Sequence, residues 1–438
     1  MTRFKPVVSL NRYESSPDSL EHLIALCNGF DSLTPRHQVF IKPNLVALDD
    51  RYPMPLYGVF TTTRLVQDMI HLLKEFGVDR ITIGEGSVRS KDFGVSTTGI
   101  FKALGYPSLE KRYGIRLVDL LEGPFQEIDF GDFKLEVAQP ILETDFLINM
   151  PVLKTHNQAV LSLGLKNLKG SLSLKSRKFC HGRGRSLDHC LSLFVEKLKP
   201  ALTVLDGIYG LEKGPFYLGK AVAMNAMAAS GDPLALDVAG ALLAGMDPGG
   251  IPHIREYADR HKRSLDPSGY DLRGTPIQEL RRPLKWDNTW NEQDTGPKAW
   301  ERLGIRGVSL PKYDETLCTG CSGLYGPILT MIMASYTAPL HEIEILTGKR
   351  MKPSGRANRT MLLGNCMIKE NRKDPAVKEG ILVKGCPPSL EAVFEALGQC
   401  GVKVREDIYA GFRKTLVDRY KGKEEFDETF YYLGTEQQ

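Results

Sequence analysis

A chain of 438 residues with 57 Lys and Arg against 53 Asp and Glu has a net charge of only +4, too mild to argue for a nucleic-acid partner from composition. Its 42% hydrophobic and 25% charged residues are ordinary for a globular protein, and the length asks for two or three cores rather than one. No segment reaches the roughly 18 apolar residues that a membrane span needs, and MTRFKPVVSLNRYESS lacks the pattern of an export signal, so a soluble cytoplasmic protein without a membrane span is expected.

In chain order, HQVFIKPNLV (37–46) reads as a buried strand that leaves through a Lys-Pro-Asn turn. TTTRLVQDMIHLLKEFG (61–77) has the period of an amphipathic helix, with threonines to cap it and Gly77 to end it. DRITIGEGS (79–87) reads as a strand running into a glycine-flanked loop. GIRLVDL (114–120), DFLINMPVL (145–153) and ALTVLDGIYG (201–210) look like further strands. DPLALDVAGALLAGM (232–246) reads as a helix with Asp232 as cap and Pro233 in its first turn. Alternation of this kind predicts an α/β fold: a larger layered domain with a mainly parallel sheet, over 1–262. The pattern breaks at 263–304, which holds all three tryptophans and reads as a connecting segment that packs its indoles against both domains, with a substrate lid as the alternative. Short strands at RTMLLGNC (359–366) and GILVKGC (380–386), then a helix at PPSLEAVFEALGQCG (387–401), predict a second, smaller α/β unit over 305–438.

Eight cysteines in a chain without an export signal suggest a metal before disulfides. Cys318 and Cys321 are one turn apart in a CxxC. Cys366 and Cys386 end the two short strands, and the carboxyl ends of neighbouring parallel strands face one crevice. Gly320, Gly364 and Gly385 let backbone come close, and N–H groups there can donate to inorganic sulfide. These four thiols are therefore the candidate ligands of one iron–sulfur cluster. Structural zinc and unligated buried thiols remain as alternatives, although zinc sites usually pair their cysteines in short knuckles. Cys27, Cys180, Cys190 and Cys400 lack convergent spacing.

CTGCSG, then LLGNC, then VKGCPPSLEAV resembles the proximal-cluster motif of nickel–iron hydrogenase small subunits and the related complex I subunit. The resemblance covers about residues 305–402. It implies a flavodoxin-like domain holding one 4Fe-4S cluster on Cys318, Cys321, Cys366 and Cys386. The glycine pair expected soon after the third cysteine is replaced here by MIKENRK.

Residues 146–187 contain no Asp or Glu but do contain Lys154, Lys166, Lys169, Lys175, Arg177, Lys178, Arg183 and Arg185, with His156 and His181 and interspersed glycines. Such a loop suits a small polyanion, phosphorylated or carboxylated. The alternatives are a patch for an acidic protein or a solvated face. Nucleic acid is disfavoured because Phe179 is the only aromatic among these charges. Further polar residues fall at strand ends: Lys42 and Asn44, Glu85 and Ser87, Lys154 and His156, and Asp206. In an open α/β sheet these positions line one crevice.

IKPNLV, TIGEGS, INMPVLKTH, LGLKNLKGSLSLKSRKFCH, VLDGIYGLEKGP and SGDPLALD, in that order, resemble the family called domain of unknown function 362 over about residues 5–260. The resemblance implies an appended iron–sulfur module and a distant likeness to the lactate racemase fold. The leading expectation is an iron–sulfur oxidoreductase of anaerobic metabolism. It would take electrons from a ferredoxin-like donor and pass them to an anion held by Lys42, Asn44, Ser87, Lys154, Lys166, Asn167, Lys169 and Arg177. His156, or His181, would be the general acid, and Glu85 and Asp206 would orient it or hold a cation. Two other classes stand beside it. One is a non-redox lyase or isomerase of lactate-racemase-like fold; the other is a non-catalytic electron carrier or maturation factor that docks an acidic protein.

Overall fold

The computed structural model describes residues 5–88, 95–214, 216–286 and 289–432. The larger sheet is built from β1 (Val7–Arg12), β2 (Val39–Pro43), β3 (Ile81–Glu85) and β4 (Arg116–Asp119). A separate antiparallel hairpin, β5 (Phe125–Asp129) and β6 (Lys134–Ala138), follows. Then come β7 (Phe146–Met150), β8 (Val152–His156), β9 (Val160–Ser162), β10 (Leu202–Glu212), β11 (Lys220–Ser230) and β12 (Asp271–Gly274). The order across the sheet is β12-β1-β11-β10-β7-β2-β3-β4, with β8 beside β10 and β9 beside β8. From β10 to β4 every pair is parallel; β11 is antiparallel to both β10 and β1.

The fold is therefore α/β with a mainly parallel sheet, and its central strands are apolar because both faces are covered. Val39 and Ile41 face one core while Phe40 faces the other; Phe146 and Ile148 alternate with Leu147 in the same way. The helix Thr63–Glu75 covers one face and Pro233–Leu243, capped by Asp232 accepting from Ala235 N, covers the other. The stretch read as one strand at 145–153 is two, β7 and β8, because Pro151 has no N–H to continue the ladder.

The smaller sheet contains β13 (Val308–Ser309), β14 (Ile343–Leu346), β15 (Arg359–Leu363) and β16 (Glu379–Val383), all parallel and in sequence order. Both of its cysteine-bearing strands stop three residues short of the cysteine. Cys366 lies in the first turn of the helix Gly364–Asn371 and Cys386 in the turn after β16. Neither ends a strand, as the sequence reading had it, because Gly364 and Gly385 take positive φ and turn the chain out of the sheet.

Two boundaries differ from the expected ones. Within 263–304, of which residues 287–288 lie outside the described residues, β12 adds an edge strand to the larger sheet. The tryptophans of this segment touch both domains: Trp286 Nε1 donates to His156 O, and Trp290 Nε1 to Leu310 O. At the other end, the helix Glu406–Asp418 and the residues after it return to the larger domain, where Leu416, Tyr420 and Tyr431 join its core. Arg413 clamps this return. It pairs with buried Asp49 at 2.8 Å and lies over the Tyr217 ring at 3.7 Å. Among the described residues no helix is long and apolar enough to cross a membrane.

Candidate functional site

The carboxyl ends of β2 and β3 meet in a buried knot. Lys42 Nζ donates to Glu85 Oε2 at 2.9 Å, with both side chains almost wholly enclosed. Glu85 also accepts from Leu45 N at 3.1 Å and Gly86 N at 2.8 Å. Burial opposes the Lys42 charge and pulls its pKa down; the Glu85 carboxylate is what restores it. Arg177, from the helix Leu174–Cys180, closes the knot through carbonyls alone: Leu172 O, Gly86 O and Gly170 O, at 2.9, 2.6 and 2.7 Å. Two glycines make room. A Cβ at Gly170 would stand 2.1 Å from Glu85 Oε1, and one at Gly86 would stand 2.2 Å from the Arg177 guanidinium.

Beyond the knot an amide relay positions one lysine. Lys154 Nζ donates to Asn44 Oδ1 and, at 2.9 Å, to Val59 O. Asn44 Nδ2 donates to Asn167 Oδ1, Asn167 Nδ2 to Asn149 Oδ1, and Asn149 Nδ2 to Gly164 O. Lysine is donor-only, so it fixes the orientation of every amide behind it. The far end is anchored by Asp237, which accepts from Gly164 N at 2.7 Å and Leu165 N at 3.1 Å and so caps the short helix Gly164–Asn167. Burial pushes the Asp237 carboxyl up to about 7.

Lys154, Lys166 and Lys169 share this region and hydrogen-bond neutral groups. Lys166 Nζ reaches Ser162 Oγ at 3.4 Å, and Lys169 Nζ meets His181 Nε2 at 2.5 Å. Burial lowers all three: Lys154 to about 7, Lys169 to about 8, and Lys166 well below its ordinary value, with its lysine neighbours adding to the effect. His156 is held well below the imidazole range by burial and by these three cations, so it is neutral near pH 7. Its Nδ1 accepts from Gln158 N and Ala159 N, leaving Nε2 to carry the proton. His181 has the opposite tautomer: Nδ1 donates to Glu315 O, and Nε2 accepts from Lys169. Burial, then Lys169, hold it neutral too.

The cysteines lie on the other side of His181. Cys318 is the N-cap of the helix Thr319–Ser335, and Cys321 falls in its first turn. A hydrogen bond from the Cys321 thiol pulls Cys318 down to about 5 and pushes Cys321 up. The charges of Cys386 and Cys366 also act on Cys321, and those of Cys318 and Cys386 act on Cys366. All four thiols are thus near enough for their charges to act on one another. A Cβ at Gly364 would stand 3.3 Å from Cys321 Sγ, so the glycine lets the third cysteine's loop close on the CxxC. Among the described residues no group of three or more His, Cys, Asp or Glu side chains is arranged to hold a single metal ion. Cys180 and Cys190, which spacing left unrelated, meet in the large-domain core through a thiol–thiol hydrogen bond.

A cavity of about 170 Å³ joins these parts. Its lining includes Asn44, Glu85, Lys154, His156, Lys166, Asn167, Lys169, Arg177 and His181, together with Thr319, Ser322, Gly323 and Gly326 of the cysteine-bearing helix and Phe216, Tyr217 and Leu218. Gly326 allows the approach, since a Cβ there would meet Leu218 at 2.6 Å. Three residues proposed from the sequence do not line the cavity. Lys42 is spent on Glu85. Ser87 Oγ donates to Leu45 O. Asp206 is enclosed on β10 and accepts from Thr62 N and Ile208 N, with burial pushing it up to about 6. Glu85 does hold a cation, but the cation is Lys42. Sequence reasoning missed Asp237 and the helix Thr319–Ser335. SGDPLALD held a signal for the first, an aspartate one turn beyond a helix cap; the glycines and Pro327 hid the second.

Residues 39–242 match the profile of the family described as Domain of unknown function (DUF362). The chain is similar to the thylakoid-associated protein sll1697 of Synechocystis sp., with 28% identity over 260 residues, 58% of this chain and 77% of that protein. Among solved structures, the lactate racemase apoprotein from Thermoanaerobacterium thermosaccharolyticum aligns with a TM-score of 0.36 and 14% identity, over 56% of this chain and 58% of that one. A protein from Thermotoga maritima aligns with a TM-score of 0.31 and 13% identity, over 48% and 54%. The chain spans little more than half the length of either solved structure.

Proposed function

We propose that the chain is an iron–sulfur oxidoreductase that binds a small anion in the cationic cavity, beside a cluster held by Cys318, Cys321, Cys366 and Cys386. One observation carries this reading. The helix Thr319–Ser335, with Cys318 as its N-cap and Cys321 in its first turn, lends Thr319, Ser322 and Gly323, from the same turns, to the cavity that Lys166 and Lys169 also line. The donor set fits the group. The four thiols come from three backbone segments, two glycines with positive φ open the backbone beside Cys366 and Cys386, and a helix N-terminus favours negative charge at Cys318 and Cys321. A lone zinc would draw its four sulfurs to about 2.3 Å from one ion, whereas a cluster keeps the thiolates apart around an inorganic core.

The bound cluster would supply single electrons. The protein's own part is anion binding and proton supply. Lys154, Lys166 and Lys169 offer amine donors whose hydrogen bonds go to neutral groups, and the apolar side chains of Phe216 and Leu218 in the lining exclude water and strengthen each contact. His156, kept neutral, offers an Nε2–H hydrogen bond rather than a full proton. The general-acid role expected of it passes to Lys154 and Lys169, whose values near 7 and near 8 suit proton transfer at neutral pH. His181 ties Lys169 to Glu315 O, and so couples the acid to the loop that precedes Cys318.

Anaerobic purification followed by iron, sulfide and zinc analysis tests the reading. About four irons per chain, with iron lost in Cys321→Ser and Cys366→Ser, is the expected result. Colourless protein with one zinc, or with no metal under iron-replete expression, refutes it.

A further inference from the structure

Besides the 146–187 stretch, the chain has a second concentration of positive charge. Residues 349–388 carry ten Lys and Arg against three Asp and Glu, a local net charge of +7 in a chain whose total is +4, so the remainder is net negative. Cys366 and Cys386 lie inside this stretch and are exposed, whereas Cys318 and Cys321 are half-buried. Lys369 follows Cys366 by one helical turn, and Arg372 and Lys373 come just after; all three are exposed. Lys384 is exposed two residues before Cys386. Glu370, the one acid of that helix, is neutralised by Arg183 at 2.6 Å and Lys352 at 3.2 Å. The exposed end of the 146–187 stretch joins the same face, because Lys178 stands near enough for its charge to act on Cys366. The basic stretch read from the sequence thus divides in two: buried lysines in the cavity and exposed cations around the outer cysteines. At the edge of this face, Leu382 on β16 is 42% exposed.

We propose that this face is the docking surface for a small acidic protein that carries electrons one at a time. The cations would steer an acidic partner, and Leu382 would add an apolar contact at the edge of the face. The surface rests on the cluster reading: one electron leaves the partner and enters the cluster, and no bond forms or breaks. A protein fits better than a nucleic acid because residues 349–388 contain no aromatic residue on which a base could stack.

The test uses the full chain, purified anaerobically, titrated with an acidic ferredoxin. Affinity is expected to fall about tenfold or more between about 20 and about 200 mM salt. The variant Lys369→Glu/Arg372→Glu/Lys373→Glu, with iron content unchanged, is expected to lose about tenfold at low salt. Salt-independent binding, unchanged affinity in the variant, or tighter binding of a DNA oligonucleotide than of ferredoxin overturns the surface. Salt- and charge-dependent docking by a chain without iron would support the surface and sink the cluster reading instead; iron without docking sinks the surface alone.

Discussion

Binding of an anion in the cavity should take up protons. Lys154 and Lys169 are lowered to about 7 and about 8, and Lys166 further. At pH 8 about nine-tenths of Lys154 and about half of Lys169 are therefore neutral. An anion that pairs with these two restores their charges, so at least about one proton enters per anion bound at that pH. Sulfate is a suitable probe because its own charge is constant across the range. Calorimetric titration in two amine buffers of different ionisation enthalpy reads the proton count directly. Since charged lysines bind the dianion and neutral ones do not, affinity should fall at least about tenfold from about pH 7.5 to about pH 9.5. Replacing Lys154 and Lys169 with Met should remove most of the uptake. Binding with no proton uptake, or affinity that rises with pH, refutes the assignment of these lysines to an anion.

Two predictions concern the scaffold. Glu85→Gln leaves the enclosed Lys42 ammonium without a counter-charge and should cost about 3–5 kcal/mol in urea unfolding, and adding Lys42→Met should recover part of it; a double variant as unstable as Glu85→Gln alone would show that the pair is not the cause. Asp237 and Asp206 have folded values raised by burial to about 7 and about 6, from 3.8. Protons they hold when folded are released on unfolding, so stability present below about pH 4 is lost as pH rises towards 7, and Asp237→Asn should flatten that slope by up to about 1.4 kcal/mol per pH unit; an unchanged slope would place its carboxylate in a less enclosed setting.

Much of this architecture is legible in the residues themselves. Long apolar runs such as VFI before Lys42 and FLINM before Pro151 mark buried parallel strands, and their polar ends fall where the cavity forms. β11 is not legible. KAVAMNAMAAS is rich in alanine, the best helix former, yet it is a strand because it is paired on both sides and because Gly207, whose Cβ would lie 2.8 Å from Ala226 O, lets β10 come close. The helix Thr319–Ser335 is hidden for the converse reason: Gly320, Gly323, Gly326 and Pro327 all lower helix propensity locally, and packing against the large domain overrides them.

At the site, charge pattern located the basic loop but not the division of its labour. Arg177 and Lys166 look alike along the chain, yet Arg177 spends its donors on three carbonyls while Lys166 has one long contact. Asp206 looked like a partner of Glu85 because both follow a strand-like run. It serves instead to hold Thr62 N at the start of the helix Thr63–Glu75. Protonation was the least legible of all, since His156 is a promising acid by type and becomes neutral through burial first and then through the lysines that folding brings around it.

The central claim is that a redox centre at the four cysteines serves the cavity next to it. Electron paramagnetic resonance of the reduced protein, with and without saturating sulfate, tests it most directly. A cluster signal whose g-values or midpoint potential shift on sulfate binding, and no longer shift in Lys166→Met/Lys169→Met, is the predicted result. A signal unmoved by sulfate that calorimetry shows to be bound in the cavity, or no cluster signal at all, would contradict it.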